Sequence, residues 1–193
     1  SVQEAPTVRP MITRTASRIV LCLLVCHLPA VFAQSPAENE RLLKTAFIFN
    51  FAKLTRWPAN TWTDQAPQFH LCTAGNDDLV VSLQRLGSER IAGHPVTIRA
   101  LQAPDSTKGC HALYIAGSEH MSYLQWIDRT RSQPVLTISE IRGFADASGA
   151  IQLYRDKDRI RFKINIGAAR DRGLSLSARL LDLAEIVDTG GTR

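Results

Sequence analysis

The sequence contains no GxxxxGK run followed by Ser or Thr and no GxGxxG loop, so it lacks the glycine-rich backbone that cradles a phosphate. Ala116-Gly117-Ser118-Glu119-His120 does not supply the GxSxG of a nucleophile elbow. There is no internal repeat, long linker or low-complexity tract, and one domain fits the length best. Charge of one sign is also modest. The formal net charge is +5, and most of that basicity lies in the leader and on Arg-rich surface strands, so nucleic acid is a poor partner.

A long apolar run is missing as well. Ile19 to Leu28 is apolar but too short for a comfortable membrane span. It follows Met11 and the basic Arg14 and Arg18, and it precedes Val31-Phe32-Ala33, the pattern of an export signal. Cleavage is expected after Ala33, leaving residues 34–193 as the mature domain, with residues 1–10 upstream of the signal. Loss of Arg9, Arg14, Arg18 and Glu4 takes the net charge to +3. An uncleaved anchor is the alternative.

Cys22 and Cys26 would leave with that leader, so Cys72 and Cys110 remain. An even pair in an exported chain suggests one disulfide; two buried free thiols are the bland alternative. His70, Cys72, Cys110 and His111 also form a legitimate zinc or copper ligand set. Their spacing matches no zinc-finger rule, and adjacent Cys110 and His111 would point apart on a regular strand.

Residues 38–57 read as a helix stopped by Pro58. Strands are expected at 69–75, 94–101, 111–117 and 134–139. Helices follow the caps Asn76-Asp77-Asp78 and Ser118. This order predicts an α/β fold with a mixed, mostly parallel sheet flanked by helices. Residues 150–156 and 159–166 alternate apolar and polar positions around Asp156-Lys157-Asp158, which predicts an antiparallel C-terminal hairpin. Leu176, Leu180, Leu183 and Val187 then recur at helical spacing.

On a helical projection of the first helix, Leu42, Ala46, Trp57, Asn50, Leu43, Leu54, Phe47 and Phe51 fall in that order on one arc. Asn50 interrupts it. An amide on a core face must find partners, so Asn50 and Asn165 are expected as hydrogen-bonded brackets, with ligand contact as the alternative. Trp57 is expected to anchor the helix end, with Arg56 exposed beside it. Ile48 and Ala52 lie opposite the arc, which makes them candidates for a dimer seam or partner contact. Covering by another local segment fits them equally.

Asp77, Asp78, Glu119 and Glu140 fall near the carboxyl ends of the parallel strands, where α/β proteins bind ligands, yet each suits a helix start or loop. Arg155, Lys157, Arg159, Arg161 and Lys163 make a basic hairpin face, interrupted by Asp156 and Asp158, that reads as a solvated strand surface. An envelope enzyme would need a convergent set such as Asp77, Glu119 and His120 in one pocket. No catalytic, metal or cofactor set emerges.

LLKTAFIFNFAKLTRWPA (42–59), FHLCTAGND (69–77), CHALYIAGSE (110–119) and FKINIGAARDRGLSLSARLLDLAEIV (162–187) resemble the YfiR family, also described as HmsC-like, of exported bacterial proteins. The resemblance implies a periplasmic repressor that binds the periplasmic sensory domain of a YfiN-type membrane diguanylate cyclase and lowers cyclic-di-GMP synthesis. A YfiB-like, OmpA-type outer-membrane lipoprotein would release it, and a homodimer is expected. A small-molecule-binding sensory module is the alternative. The disulfide carries over onto Cys72 and Cys110. Some relatives have a second cysteine pair near the GFADASGAIQL segment (143–153), a region where Ala145 and Gln152 stand here, so the resemblance does not imply switching that depends on that pair.

Overall fold

Phe69–Ala74 (β2), Ala112–Ile115 (β5) and Leu136–Ser139 (β6) are short runs almost wholly buried on both faces, as strands inside a parallel sheet must be. The computed structural model describes residues 35–62, 68–85, 89–102 and 105–187. In it these three strands are parallel neighbours. His94–Leu101 (β4) extends the parallel run on one side and Ile151–Asp156 (β7) on the other. Arg159–Asn165 (β8) returns antiparallel to β7, and Arg90–Ile91 (β3) lies antiparallel on β4. Glu185–Val187 (β10) pairs in parallel with β8. The sheet order is β10-β8-β7-β6-β5-β2-β4-β3, the mixed, mostly parallel arrangement with a C-terminal hairpin that the pattern predicted.

Each face of the sheet carries its own core. Pro36–Lys53 (α1), Asp78–Leu83 (α2) and Ala178–Leu181 (α5) cover one face, where Ile48, Phe51, Leu83 and Leu180 meet Leu71, Ile138, Ile151 and Ile164. Tyr123–Thr130 (α3) covers the other, with Trp126 and Ile127 against Cys72, Leu113 and Phe144. Toward the hairpin that second face turns polar. Gln152 Oε1 accepts from the Ala145 N–H at 3.2 Å, and Asn165 Nδ2 donates to the Ala145 carbonyl at 2.8 Å. Asn165 Oδ1 meanwhile accepts from Ala168 N–H, capping Ile166–Asp171 (α4). Gln152 and Asn165 thus tie both backbone groups of Ala145 to the hairpin.

Three expectations are corrected. The first helix ends at Lys53, not Trp57, because Thr55–Arg56 (β1) pairs antiparallel with Ser175–Leu176 (β9). The C-terminal helix shrinks to four residues, and its last turn becomes β10. The edge of β8 at Lys163–Asn165 offers open backbone groups, and pairing satisfies them. Of Leu176, Leu180, Leu183 and Val187, only Leu180 is buried. Ser118 does not cap a helix; its Oγ accepts from Asn76 N–H across the β2 and β5 ends. Gly75 permits that approach, since a Cβ there would sit 2.4 Å from Ser118 Oγ. The segment expected to be an export signal lies outside the described residues.

Candidate partner-binding surface

The orientation of α1 decides what surface it offers. Ser35 caps it by accepting from Glu38 N–H, and Pro36 occupies the first turn, where its missing N–H costs nothing. The residues it buries are Thr45, Ile48, Phe51 and Ala52. That face is turned by more than about 100° from the apolar arc read in the sequence. Thr45 and Thr55 tolerate burial because each hydroxyl donates to a carbonyl one turn back, Arg41 O and Phe51 O. An ion-pair chain holds the rotation: Lys44 Nζ lies 2.6 Å from Glu140 and 2.7 Å from Glu40, and Glu40 meets Arg155 at 2.6 Å. Burial opposes the Lys44 charge, yet its bonds to Glu140 and Glu40 outweigh that and hold its pKa above the ordinary value.

The candidate contact residues therefore separate. Ile48 is 0 % exposed, as is Ala52; both seat α1 on the sheet and present nothing to a partner. Trp57 is buried, its Nε1 donating to His111 O at 3.0 Å and its ring set edge-on to Phe69. Asn165 is 1 % exposed and is a bracket, but for α4 and Ala145 rather than for α1. Asn50 is exposed, not a core bracket, because it lies with Leu42, Leu43 and Ala46 on the part of the arc that faces outward. Arg56 is exposed as expected. Asn50→Leu should consequently change stability by less than about 0.5 kcal/mol. Urea unfolding checks this; a loss of about 1–3 kcal/mol would instead reveal stranded partners.

The outward arc leaves an apolar surface. Leu42 is 37 % exposed, Leu43 48 % and, on the chain just after α5, Leu183 70 %. Between α1 and α5 lies an open pit of about 280 Å³. Phe47, Phe51 and Phe162 form its floor, with ring centroids 4.8–5.8 Å apart. Asn50, Lys53 and Arg179 stand at its rim. Phe47 also lines a cleft of about 620 Å³ between α1 and the hairpin, where Leu43 and Ile160 face Glu40, Arg155 and Arg159. Sequence reasoning missed Lys53, Arg179 and Leu183. The signal available was an apolar arc containing an amide, which fits a surface better than a core.

The polar groups at the strand ends are engaged in structure. Asp77 Oδ1 caps α2 by accepting from Leu79 and Val80 N–H, and its Oδ2 takes the Tyr114 hydroxyl at 3.0 Å. Glu140 lies 3.4 Å from the same hydroxyl. Burial, then the Asp77 and Glu140 carboxylates, push the Tyr114 phenol far above its usual pKa, so it remains a neutral donor. Glu119 accepts from the Ser122 hydroxyl and from Trp126 Nε1, which hold its carboxyl below the usual range. Asp77 and Glu140 thus meet, whereas Glu119 is bonded into its own loop and His120 is exposed.

Cys72 and Cys110 form a disulfide with Cα atoms 5.8 Å apart, so their sulfurs are unavailable to the alternative metal set. The Trp62 ring, packed against the core of the other face, stacks on His94 at 4.1 Å and on His111 at 4.7 Å. His111 Nδ1 accepts from the His70 N–H at 2.9 Å. Among the described residues no helix is long and apolar enough to cross a membrane. The YfiR/HmsC-like family model matches residues 41–185, from the first turns of α1 to the start of β10, and the chain therefore belongs to that family of periplasmic, regulatory rather than catalytic proteins of cyclic-di-GMP signalling.

Proposed function

We propose that the protein is a periplasmic negative regulator that binds the sensory domain of a YfiN-type membrane diguanylate cyclase and holds cyclic-di-GMP synthesis down. A YfiB-like lipoprotein of the OmpA type relieves that inhibition by sequestering it. Self-association as a homodimer belongs to the same reading. The observation that carries the proposal is the outward apolar arc of α1 with Leu183 beside it. Regulation by binding needs desolvated anchors on the surface, and Leu42 and Leu43 of this arc, with Leu183, supply apolar side chains that the core does not bury. A small-molecule sensory module would call for a deep, enclosed apolar pocket, whereas the pit of about 280 Å³ and the cleft of about 620 Å³ are both open to solvent.

Deleting the gene should raise cyclic-di-GMP and biofilm matrix in a strain that expresses the cyclase. A full-length copy should reverse this, and a copy lacking residues 11–33 should not. Unchanged cyclic-di-GMP on deletion would falsify the repressor reading and favour the sensory module.

A further inference from the structure

The pit between α1 and α5 combines a rigid floor, an exposed apolar lip and a rim of one charge. Its floor is rigid, because Phe47, Phe51 and Phe162 pack on one another and Phe51 and Phe162 are also core residues. Its lip, Leu183, is largely in water. Its charged rim is of one sign. Lys53 and Arg179 line the pit and no carboxylate does. Neither cation is in an ion pair among the described residues; the Lys53 ammonium lies over the Phe49 ring, 4.4 Å from its centroid, and Arg179 stands across the pit from it.

We propose that this pit receives an apolar side chain of the cyclase's sensory domain, presented between carboxylates that meet Lys53 and Arg179. The inference rests on the repressor reading and adds what the partner must show: an acidic segment with an apolar knob. Such a knob would fill a concavity of about one large side chain, the arrangement that concentrates binding energy in protein interfaces. The two cations would steer a negative segment and reject a positive one. A second copy of this chain fits poorly. A two-fold contact centred on the pit places the same patch on both sides, setting the Lys53 and Arg179 of one copy against those of the other. An anionic membrane surface matches the charge, but a lipid surface is bound by protruding apolar residues, and the floor here is recessed.

The test uses the signal-cleaved protein and the purified periplasmic domain of the membrane cyclase, with binding measured by calorimetry at two salt concentrations. The variants are Lys53→Glu with Arg179→Glu, Leu183→Asp, and Lys108→Glu as a control on another part of the surface. Both pit variants should bind roughly tenfold or more weakly while melting with the wild type, and the control should bind normally. Wild-type affinity should fall as salt rises, and the charge-reversed variant should lose that dependence. Wild-type affinity in both pit variants would overturn the pit assignment and leave the repressor reading standing. No binding by the wild type would overturn both. Loss of a solution dimer in Leu183→Asp, or Leu183-dependent sedimentation with phosphatidylglycerol vesicles, would assign the pit to a second copy or to lipid and overturn the proposal.

Discussion

Replacing Cys72 and Cys110 together by alanine should lower the unfolding free energy by about 4 kcal/mol. The bridge closes a loop of 38 residues, and the unfolded chain regains the freedom of that loop when the bond is absent. For a domain of this size such a loss moves the melting temperature down by roughly 10 °C. The site adds its own penalty, because both residues are buried beside Leu113, Trp126 and Phe144, and removing two sulfurs leaves a void. Comparison with reduced wild type separates the two contributions, since reduction opens the loop without emptying the core. Intact mass after alkylation of the unreduced protein should show no modified cysteine in the folded domain. Two alkylated cysteines, or a variant melting within about 2 °C of the oxidised parent, would contradict the linkage.

The sheet was readable because its central strands bury both faces, and only a continuous apolar run meets that condition. FHLC, ALYI and LTIS announce themselves, and the alternating hairpin announces a one-sided environment. The first helix was harder for a physical reason. Ala46, Phe47, Ile48, Phe49, Phe51, Ala52 and Leu54 place apolar groups on nearly every side, so periodicity cannot choose the core face. The choice falls to residues a hydrophobic count ignores: Thr45 and Thr55, whose hydroxyls bond internally, and Lys44, fixed between Glu140 and Glu40. The helix starts at Pro36, two residues before the expected start at 38, because Ser35 caps it by accepting from Glu38 N–H and proline suits the first turn. The strand at Glu185–Val187 was not legible, because leucines at helical spacing precede it and its pairing partner lies about twenty residues earlier. The same limit hid the binding surface. Lys53 and Arg179 are far apart in sequence, and only the packing of α5 beside α1 brings them to one rim.

Acid should loosen the Trp62 end of the sheet through His111. Burial, then the neighbouring His70 and His94, depress the His111 pKa to about 4 from its ordinary value of 6.5. Geometry supplies a separate reason. Nδ1 accepts the His70 N–H, and a proton there would set donor against donor at the junction of β2 and β5. Above pH 6.5 His111 is neutral whether folded or unfolded, so its contribution to stability is fully present. As pH falls toward 4, the unfolded chain takes up the proton that the folded protein refuses, and stability declines. The whole shift corresponds to roughly 3 kcal/mol; solvent around half-buried His70 and His94 screens part of it, leaving about 2 kcal/mol. His70 adds in the same direction, its pKa lowered by burial and by Arg99. Glu40, Glu119 and Glu185 have carboxyl pKa values held below the ordinary 4.5, so their charge loss falls mostly below this window. In His111→Asn, Oδ1 takes the place of Nδ1 as acceptor for the His70 N–H and carries no titratable proton. Urea midpoints measured between pH 7.5 and 4.5 should therefore fall steeply for the wild type and less steeply for the variant. Tryptophan fluorescence should change over the same range as the domain loosens, because the Trp62 indole then loses its stacking on His94 and His111. Parallel slopes for the two proteins would show that His111 remains neutral for another reason, or that the acid response belongs to the carboxylates.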